Sequence, residues 1–242
     1  MITNQQSGTT IDEVAPGIYR ISTPVEIPAL PGGFSFNQYL LVDDEPLLFH
    51  SGLRRMFPLV REAISVVMPT EKLRHVGFSH FEADESGALN DFLAIAPQSA
   101  PFSSDIGAMV SVNDVADRPG RGLADGEQFS TGSHRLEWIY TPHVPHGWDC
   151  GVLFDHTTQT LFCGDLFTQG GSKCPPVTED DICDPSELFR GPLDYFAHAK
   201  GTGAILERLA SLNPKILACM HGSAFRGDGS AMLRKLSSAM SA

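Results

Sequence analysis

Apolar and polar positions change over in short blocks along the chain, and the period of each block predicts an element. Residues 18–21 and 39–42 are brief runs of β-favouring side chains. Asp43, Asp44, Glu45 and Pro46 make a turn, and residues 47–49 return as a strand, so this stretch reads as a hairpin. Between residues 53 and 67, Met56, Leu59, Val60 and Ile64 recur at helical spacing. Residues 76–78 predict a buried strand that stops at Ser79 and His80. Ser86 then stands where it could cap a helix carrying Leu89, Phe92 and Leu93. The second half repeats the scheme. Strands are expected over 134–140, 151–154, 160–163 and 215–218, and helices over 202–212 and 231–240, with a long polar loop over 168–185 that could cover something. Strands and helices interleave without a linker or a low-complexity tract, which predicts a layered α/β domain. The expectation is one domain over residues 1–242, with residues 1–13 as a less ordered N-terminal arm.

Composition agrees and narrows the function. A length of 242 residues, 42% of them hydrophobic and 19% charged, supports a substantial core. The net charge of −12 argues against a nucleic-acid partner, since the only adjacent basic residues are Arg54-Arg55 and Arg234-Lys235. The first ten residues lack a basic-then-apolar pattern, and no apolar run approaches the ~20 residues of a membrane span, so a soluble cytoplasmic protein without membrane contact is expected. The five cysteines form no CxxC pair. They read as free thiols, with Cys174 and Cys183 as the one pair placed to bridge.

The chemistry gathers where apolar strands stop. His80, Glu82 and Asp84 follow the first of these strands, with Glu85 next to them. His143 and His146 follow another, Asp165 ends a third, and His221 ends the last. Side chains at the ends of neighbouring strands converge on a rigid support, as ligand sites in α/β sheets require. A solitary His or Asp after a strand is usually a cap or turn former; several strand ends that each supply imidazole or carboxylate are not explained that way. His80, Glu82 and Asp84 alternate, so in an extended turn they point to one side. Such a cluster is electrostatically costly without a cation among its members. A bound cation is therefore expected.

The motifs resemble the metallo-β-lactamase fold superfamily. The common hydrolase pattern is His-x-His-x-Asp-His, whereas this chain has His80-x-Glu82-x-Asp84-Glu85. Glu at the second His position is similar to the diiron branch: the iron domain of flavodiiron proteins and the oxygen-binding diiron proteins made of that domain alone. His146-Gly147-Trp148-Asp149 is similar to the family's His-Trp-Pro-Asp, Gly164-Asp165 to its bridging carboxylate, and His221 to Arg226 to its closing His-Gly-x-x-aromatic-Arg. The resemblance runs over about residues 14 to 240. It implies a four-layer αββα sandwich, two β-sheets flanked by helices. It also implies one metal at His80, Glu82 and His146, the other at Asp84 and His221, and Asp165 between them. The Glu82 carboxylate makes the site harder and more negative, which favours iron, with manganese or zinc as alternatives. Glu85 stands where the family usually has His, so it is a candidate ligand, a partner of bound water, or a support behind the ligands. The His-x-x-Asp offset favours His146 over His143, and His75, His134, His156 and His198 read as ordinary surface or packing residues. Phe81, Phe167 and Trp148 are candidate pocket walls.

The resemblance implies a protein that binds dioxygen, nitric oxide or peroxide, as a sensor or as a reductase fed by a separate electron-donor protein. Only 21 residues follow His221 and no Gly-rich phosphate loop is present, so no bound flavin is expected. A homodimer is expected from the family. The alternative is a binuclear zinc hydrolase, in which the metals activate water. Glu82 weakens it, because an extra carboxylate lowers the Lewis acidity of the neighbouring metal.

Overall fold

In a computed structural model, the alternation along the chain becomes two β-sheets packed face to face with helices on both outer sides. The structure describes residues 1–240, and the last two residues of the domain expected over 1–242 lie outside them. The first sheet contains β1 (Ile2–Asn4), β2 (Thr9–Ala15), β3 (Ile18–Ile27), β4 (Leu30–Leu41), β5 (Leu47–Phe49), β6 (His75–Gly77), β7 (Ala100–Ser104) and β8 (Arg121–Leu123), paired in chain order. The second contains β9 (Gln128–Ser130), β10 (Arg135–Tyr140), β11 (Gly151–Asp155), β12 (Thr160–Gly164), β13 (Val177–Thr178), β14 (Ile216–Cys219) and β15 (Ala224–Arg226). Its order is β13-β15-β14-β12-β11-β10-β9.

Three apolar cores separate four layers. Between the sheets lie Tyr39, Phe49, Phe102, Trp138, Leu153 and Phe162. Outside the first sheet, Val60 and Ile64 of the helix Phe57–Val67 pack with Phe92 and Leu93 of the helix Leu89–Ile95. Outside the second, the helices Cys183–Leu193, Thr202–Ala210 and Gly229–Met240 cover Phe154, Leu161 and Leu217. Side chains such as Val60 and Ile64, with no exposure, each stabilise by about 1.5–3 kcal/mol. The four-layer αββα arrangement is the one implied by the resemblance.

The expected hairpin is present, with Tyr39 opposite Phe49 and Leu41 opposite Leu47. The helix after it begins at Phe57 with Pro58 in its first turn, as proline's missing N–H permits, and ends before the extended Met68 and Pro69. Other expectations are corrected. The region read as an N-terminal arm carries β1 and most of β2, held on the sheet edge by pairing such as Ile2 with Thr10. Ser86 does not cap the helix Leu89–Ile95. It ends the short helix Ala83–Ser86 and donates to the Glu82 carbonyl at 2.7 Å. The loop expected over 168–185 includes β13 and the start of the helix Cys183–Leu193. The expected free thiols are found: all five cysteines are free, Cys174 and Cys183 included.

The parallel neighbours place the chemistry. β5, β6, β7 and β8 run parallel in the first sheet, as do β12 and β14 in the second. Their C-terminal ends are where strand-end ligands gather in such sheets. Among the described residues no helix is long and apolar enough to cross a membrane.

Candidate metal centre

Each sequence-predicted site residue leaves a strand or the turn after it, and the structure brings the six together. His80, Glu82 and Asp84 follow β6 of the first sheet. His146 follows β10, Asp165 follows β12 and His221 follows β14, all in the second. The site therefore straddles the ends of both sheets.

Asp165 stands at its middle. One oxygen, Oδ2, lies 3.4 Å from His146 Nε2 and 3.7 Å from His80 Nε2. The other, Oδ1, lies 3.2 Å from His221 Nε2 without making a hydrogen bond to it. Glu82 Oε1 completes the first group, 3.2 Å from His146 Nε2 and 3.4 Å from His80 Nε2. Asp84 Oδ2 completes the second, 3.5 Å from His221 Nε2. One donor atom from each of His80, Glu82, His146 and Asp165 falls within a set whose members are all within 4.8 Å of one another.

The ring orientations test whether cations fit. His221 Nδ1 lies 2.8 Å from the Ser35 carbonyl, which can only accept, so Nδ1 carries a hydrogen. In the neutral ring the lone pair on Nε2 then faces the oxygens of Asp84 and Asp165. His80 is held likewise, with Nδ1 hydrogen-bonded to Ser79 Oγ at 3.2 Å beside the Glu85 carboxylate, and Nε2 3.0 Å from His146 Nε2. Lone pairs directed at carboxylates and at each other are repulsive unless positive charge lies among them, as ring protons or as bound cations. The donor set fits a pair of cations of the harder, iron-like kind.

The titration behaviour reflects the same crowding. Burial alone would lower the His221 imidazolium, but Asp165 and Asp84 outweigh it and push it up to about 10. Hydrogen bonding to His146 and His80 brings Glu82 down to about 2. Burial raises Asp165, yet the three surrounding histidines, His221 first, hold it well below the ordinary carboxylate range. Tyr195 closes one side, donating to the Asp165 carbonyl at 3.3 Å with its ring edge-on to His146. Burial pushes its phenol up to about 12, so it stays a donor.

The turn that carries His221 is clamped by β4. Asn37 Nδ2 donates to the Cys219 and Gly222 carbonyls at 2.9 and 2.8 Å, and Tyr39 donates to Cys219 at 2.8 Å. The buried Arg20 guanidinium donates to the Gly222 carbonyl at 2.7 Å. Gly222 has a φ of +88°, and a Cβ there would sit 2.5 Å from Gln169 Cβ, so both conformation and space select glycine. Gly164 meets the same demand before Asp165: its φ is +54° and a Cβ would lie 2.6 Å from Ser79 Oγ.

Some placements were left open, misread or missed in the sequence. Glu85 is buried at the Nδ1 edge of His80, away from the edge that faces His146. Its Oε2 accepts from the His80 backbone N–H at 2.8 Å and its Oε1 from Ser79 Oγ. His50 lies 3.5 Å from Glu85 Oε1, fully buried with neither ring nitrogen hydrogen-bonded. It follows β5, so the strand-end signal was there to be used. Phe81 and Trp148 are exposed and Phe167 belongs to the core outside the second sheet. The aromatic wall against His221 is instead Phe34, stacked at 4.3 Å, with Phe36 edge-on at 5.4 Å. His143 is exposed and joins no part of the cluster. His75, His134, His156 and His198 pair with Glu45, Asp155, Glu137 and Asp194 at 2.7–2.9 Å.

Comparison with known proteins adds a second line of argument. A family model described as ODP family beta lactamase matches residues 34–222. The diflavin flavoprotein A 1 of Thermosynechococcus vestitus is 27% identical over 205 residues, covering 82% of this chain and 35% of its own length. The rubredoxin-oxygen oxidoreductase of Megalodesulfovibrio gigas is 26% identical over 206 residues, covering 81% of this chain and 50% of that protein. The chain thus spans between a third and a half of these relatives. In structure it is similar to a variant of the flavo di-iron protein of Thermotoga maritima, with a TM-score of 0.84 and 18% identity over 96% of this chain and 61% of that one.

Proposed function

The chain belongs to the ODP family of beta lactamase domains, and from that membership we propose that it is a non-haem diiron protein that binds dioxygen or nitric oxide. The observation that carries the reading is Asp165, whose two oxygens face separate imidazole groups on opposite sides. A carboxylate divided in this way suits a pair of cations, which sit roughly 3.5–4 Å apart in two-metal sites. His80, His146 and Glu82 would hold one iron as two imidazoles and a carboxylate, a donor set suited to non-haem iron. Asp84 and His221 would hold the other. Bound there, the two irons supply the electrons and open positions that dioxygen needs.

The chain's own residues prepare that chemistry. Ser35 fixes the tautomer of His221, and Ser79 with Glu85 behind it fixes that of His80, so that each Nε2 is free to bind. Phe34 and Phe36 keep water from one face of His221. Tyr195 holds its proton beside Asp165. Electrons come from a separate redox protein, a reading supported by the name of the rubredoxin-oxygen oxidoreductase relative. The protein acts in the cytoplasm as a homodimer. Turnover with a reduced donor distinguishes a reductase from a sensor, and peroxide is a third ligand for the same assay.

The test is to load the protein with ferrous iron without air and then add dioxygen. A new optical band is expected within the mixing experiment, with no turnover of a generic ester. Absence of any optical change, together with ester hydrolysis by the zinc form, would overturn the reading in favour of a hydrolase.

A further inference from the structure

The donors around Asp165 are unequally divided. On the Oδ2 side stand His80, His146 and Glu82; on the Oδ1 side stand only His221 and Asp84. Glu85 follows Asp84 in the same short helix, and an additional carboxylate there could have supplied the poorer side. It is turned the other way. The side chain is fully buried, and both oxygens are engaged: Oε1 by Ser79 Oγ at 2.5 Å, with His80 Nδ1 at 3.2 Å and His50 Nε2 at 3.5 Å, and Oε2 by the His80 backbone N–H at 2.8 Å. The two nitrogens of an imidazole point to different edges of the ring, so a carboxylate at Nδ1 cannot also reach a cation bound at Nε2. Ser79 Oγ gives its own hydrogen to Glu85 and lies 3.2 Å from His80 Nδ1 as its hydrogen-bond partner, so Glu85, through Ser79 and by its charge beside the ring, holds the hydrogen on Nδ1 and strengthens Nε2 as a donor.

We propose that Glu85 is a positioning residue for His80, and that its withdrawal makes the centre asymmetric, with a firmly held ion at His80, Glu82 and His146 and an exchangeable ion at Asp84 and His221. This rests on the reading of the cluster as a two-metal centre. The exchangeable ion has two donors of its own and a share of Asp165. Its coordination must be completed by solvent or by an incoming ligand, so small ligands enter at the His221 side. Gly164 allows the arrangement, because the space a Cβ would take is filled by the Ser79 hydroxyl that Glu85 holds.

The experiment is release of Co(II) from the loaded protein by a competing chelator, with bound metal per chain and the visible spectrum followed together. The parent protein should lose its ions in two separate steps. Glu85→Gln keeps the shape and removes the charge; it should weaken the firmly held ion by about 10–100-fold and leave the exchangeable one unchanged. Ser79→Ala removes the hydroxyl that links Glu85 to His80 Nδ1, leaves the Glu85 charge in place and opens no large cavity, so it should shift the same step by less. It carries the test if Glu85→Gln does not fold. Release of both ions in one step overturns the asymmetry. A Glu85→Gln protein that folds but weakens mainly the exchangeable ion, or neither, overturns the positioning role, as does a Ser79→Ala protein whose second step, release of the firmly held ion, is unshifted. A parent that binds no Co(II) at all would instead remove the two-metal reading itself.

Discussion

Asp165 and His221 face each other at 3.2 Å from the ends of two neighbouring parallel strands, β12 and β14. The contact is set by strand register, since Gly164 pairs with Cys219 and each is followed within two residues by its ligand candidate. In the neutral ring it also brings the Nε2 lone pair onto a carboxylate oxygen that has no hydrogen bond, which is repulsive unless a ring proton or a bound cation lies between them. That arrangement favours a cation between the two. Asp165→Ala should therefore weaken binding of both ions by at least about tenfold, measured by equilibrium dialysis against iron or cobalt. Loss of one ion with the other unchanged would show that Asp165 is not shared.

Gly164 should tolerate no side chain. Alanine would need a positive φ and a Cβ 2.6 Å from Ser79 Oγ. Thermal or denaturant unfolding should show a loss of about 1–3 kcal/mol for Gly164→Ala. Metal content should fall too, because the strain is relieved by moving Asp165 or Ser79. A variant as stable as the parent would contradict the packing described.

Phe162 locks the two sheets together. It is fully buried between them, with its ring 5.5 Å from Phe49 and 5.7 Å from Tyr39. Phe162→Ala should cost about 3–5 kcal/mol in denaturant unfolding. Because Phe162 lies three residues before Asp165, iron affinity should decline with it.

Asp43 ties the β4–β5 turn to the second sheet. Its oxygens accept from the backbone N–H groups of Ser133 and His134 and from Thr131 Oγ1 at 2.9–3.1 Å. Burial pushes this carboxyl up, but these donors outweigh it and hold it well below the usual range. A depressed carboxyl contributes stability above its unfolded value of about 4, and loses that contribution as pH falls through the folded value. The stability gap between parent and Asp43→Ala should therefore be full at neutral pH and narrow steadily below about pH 4. A gap that does not change with acid would contradict the assignment.

How much of this was legible in the sequence depended on whether the signal was local. The hairpin from Tyr39 to Phe49 and the helix bearing Val60 and Ile64 follow from residue periodicity and were readable. The gathering of Asp165 with the five other candidates was readable because each follows a strand, and because their order resembles a known family. β1, β7, β8 and β9 were not, since three to five residues with mixed polarity carry no period of their own and become strands only by pairing with neighbours. The orientation of Glu85 was also hidden. It depends on Ser79, His50 and the His80 backbone closing around one carboxylate, and no spacing rule encodes that. Asn37, Tyr39 and Arg20, which clamp the His221 turn from the opposite sheet, lie about 180–200 residues away from it and left no local mark.

The central claim is that two irons share Asp165. Electron paramagnetic resonance of the iron-loaded protein, brought to the state midway between fully reduced and fully oxidised, tests it directly. The account predicts a spin-coupled mixed-valence signal that accounts for most of the iron and disappears in Asp165→Ala. Isolated, uncoupled ferric signals in the parent, or a protein that takes up zinc and refuses iron, would contradict it.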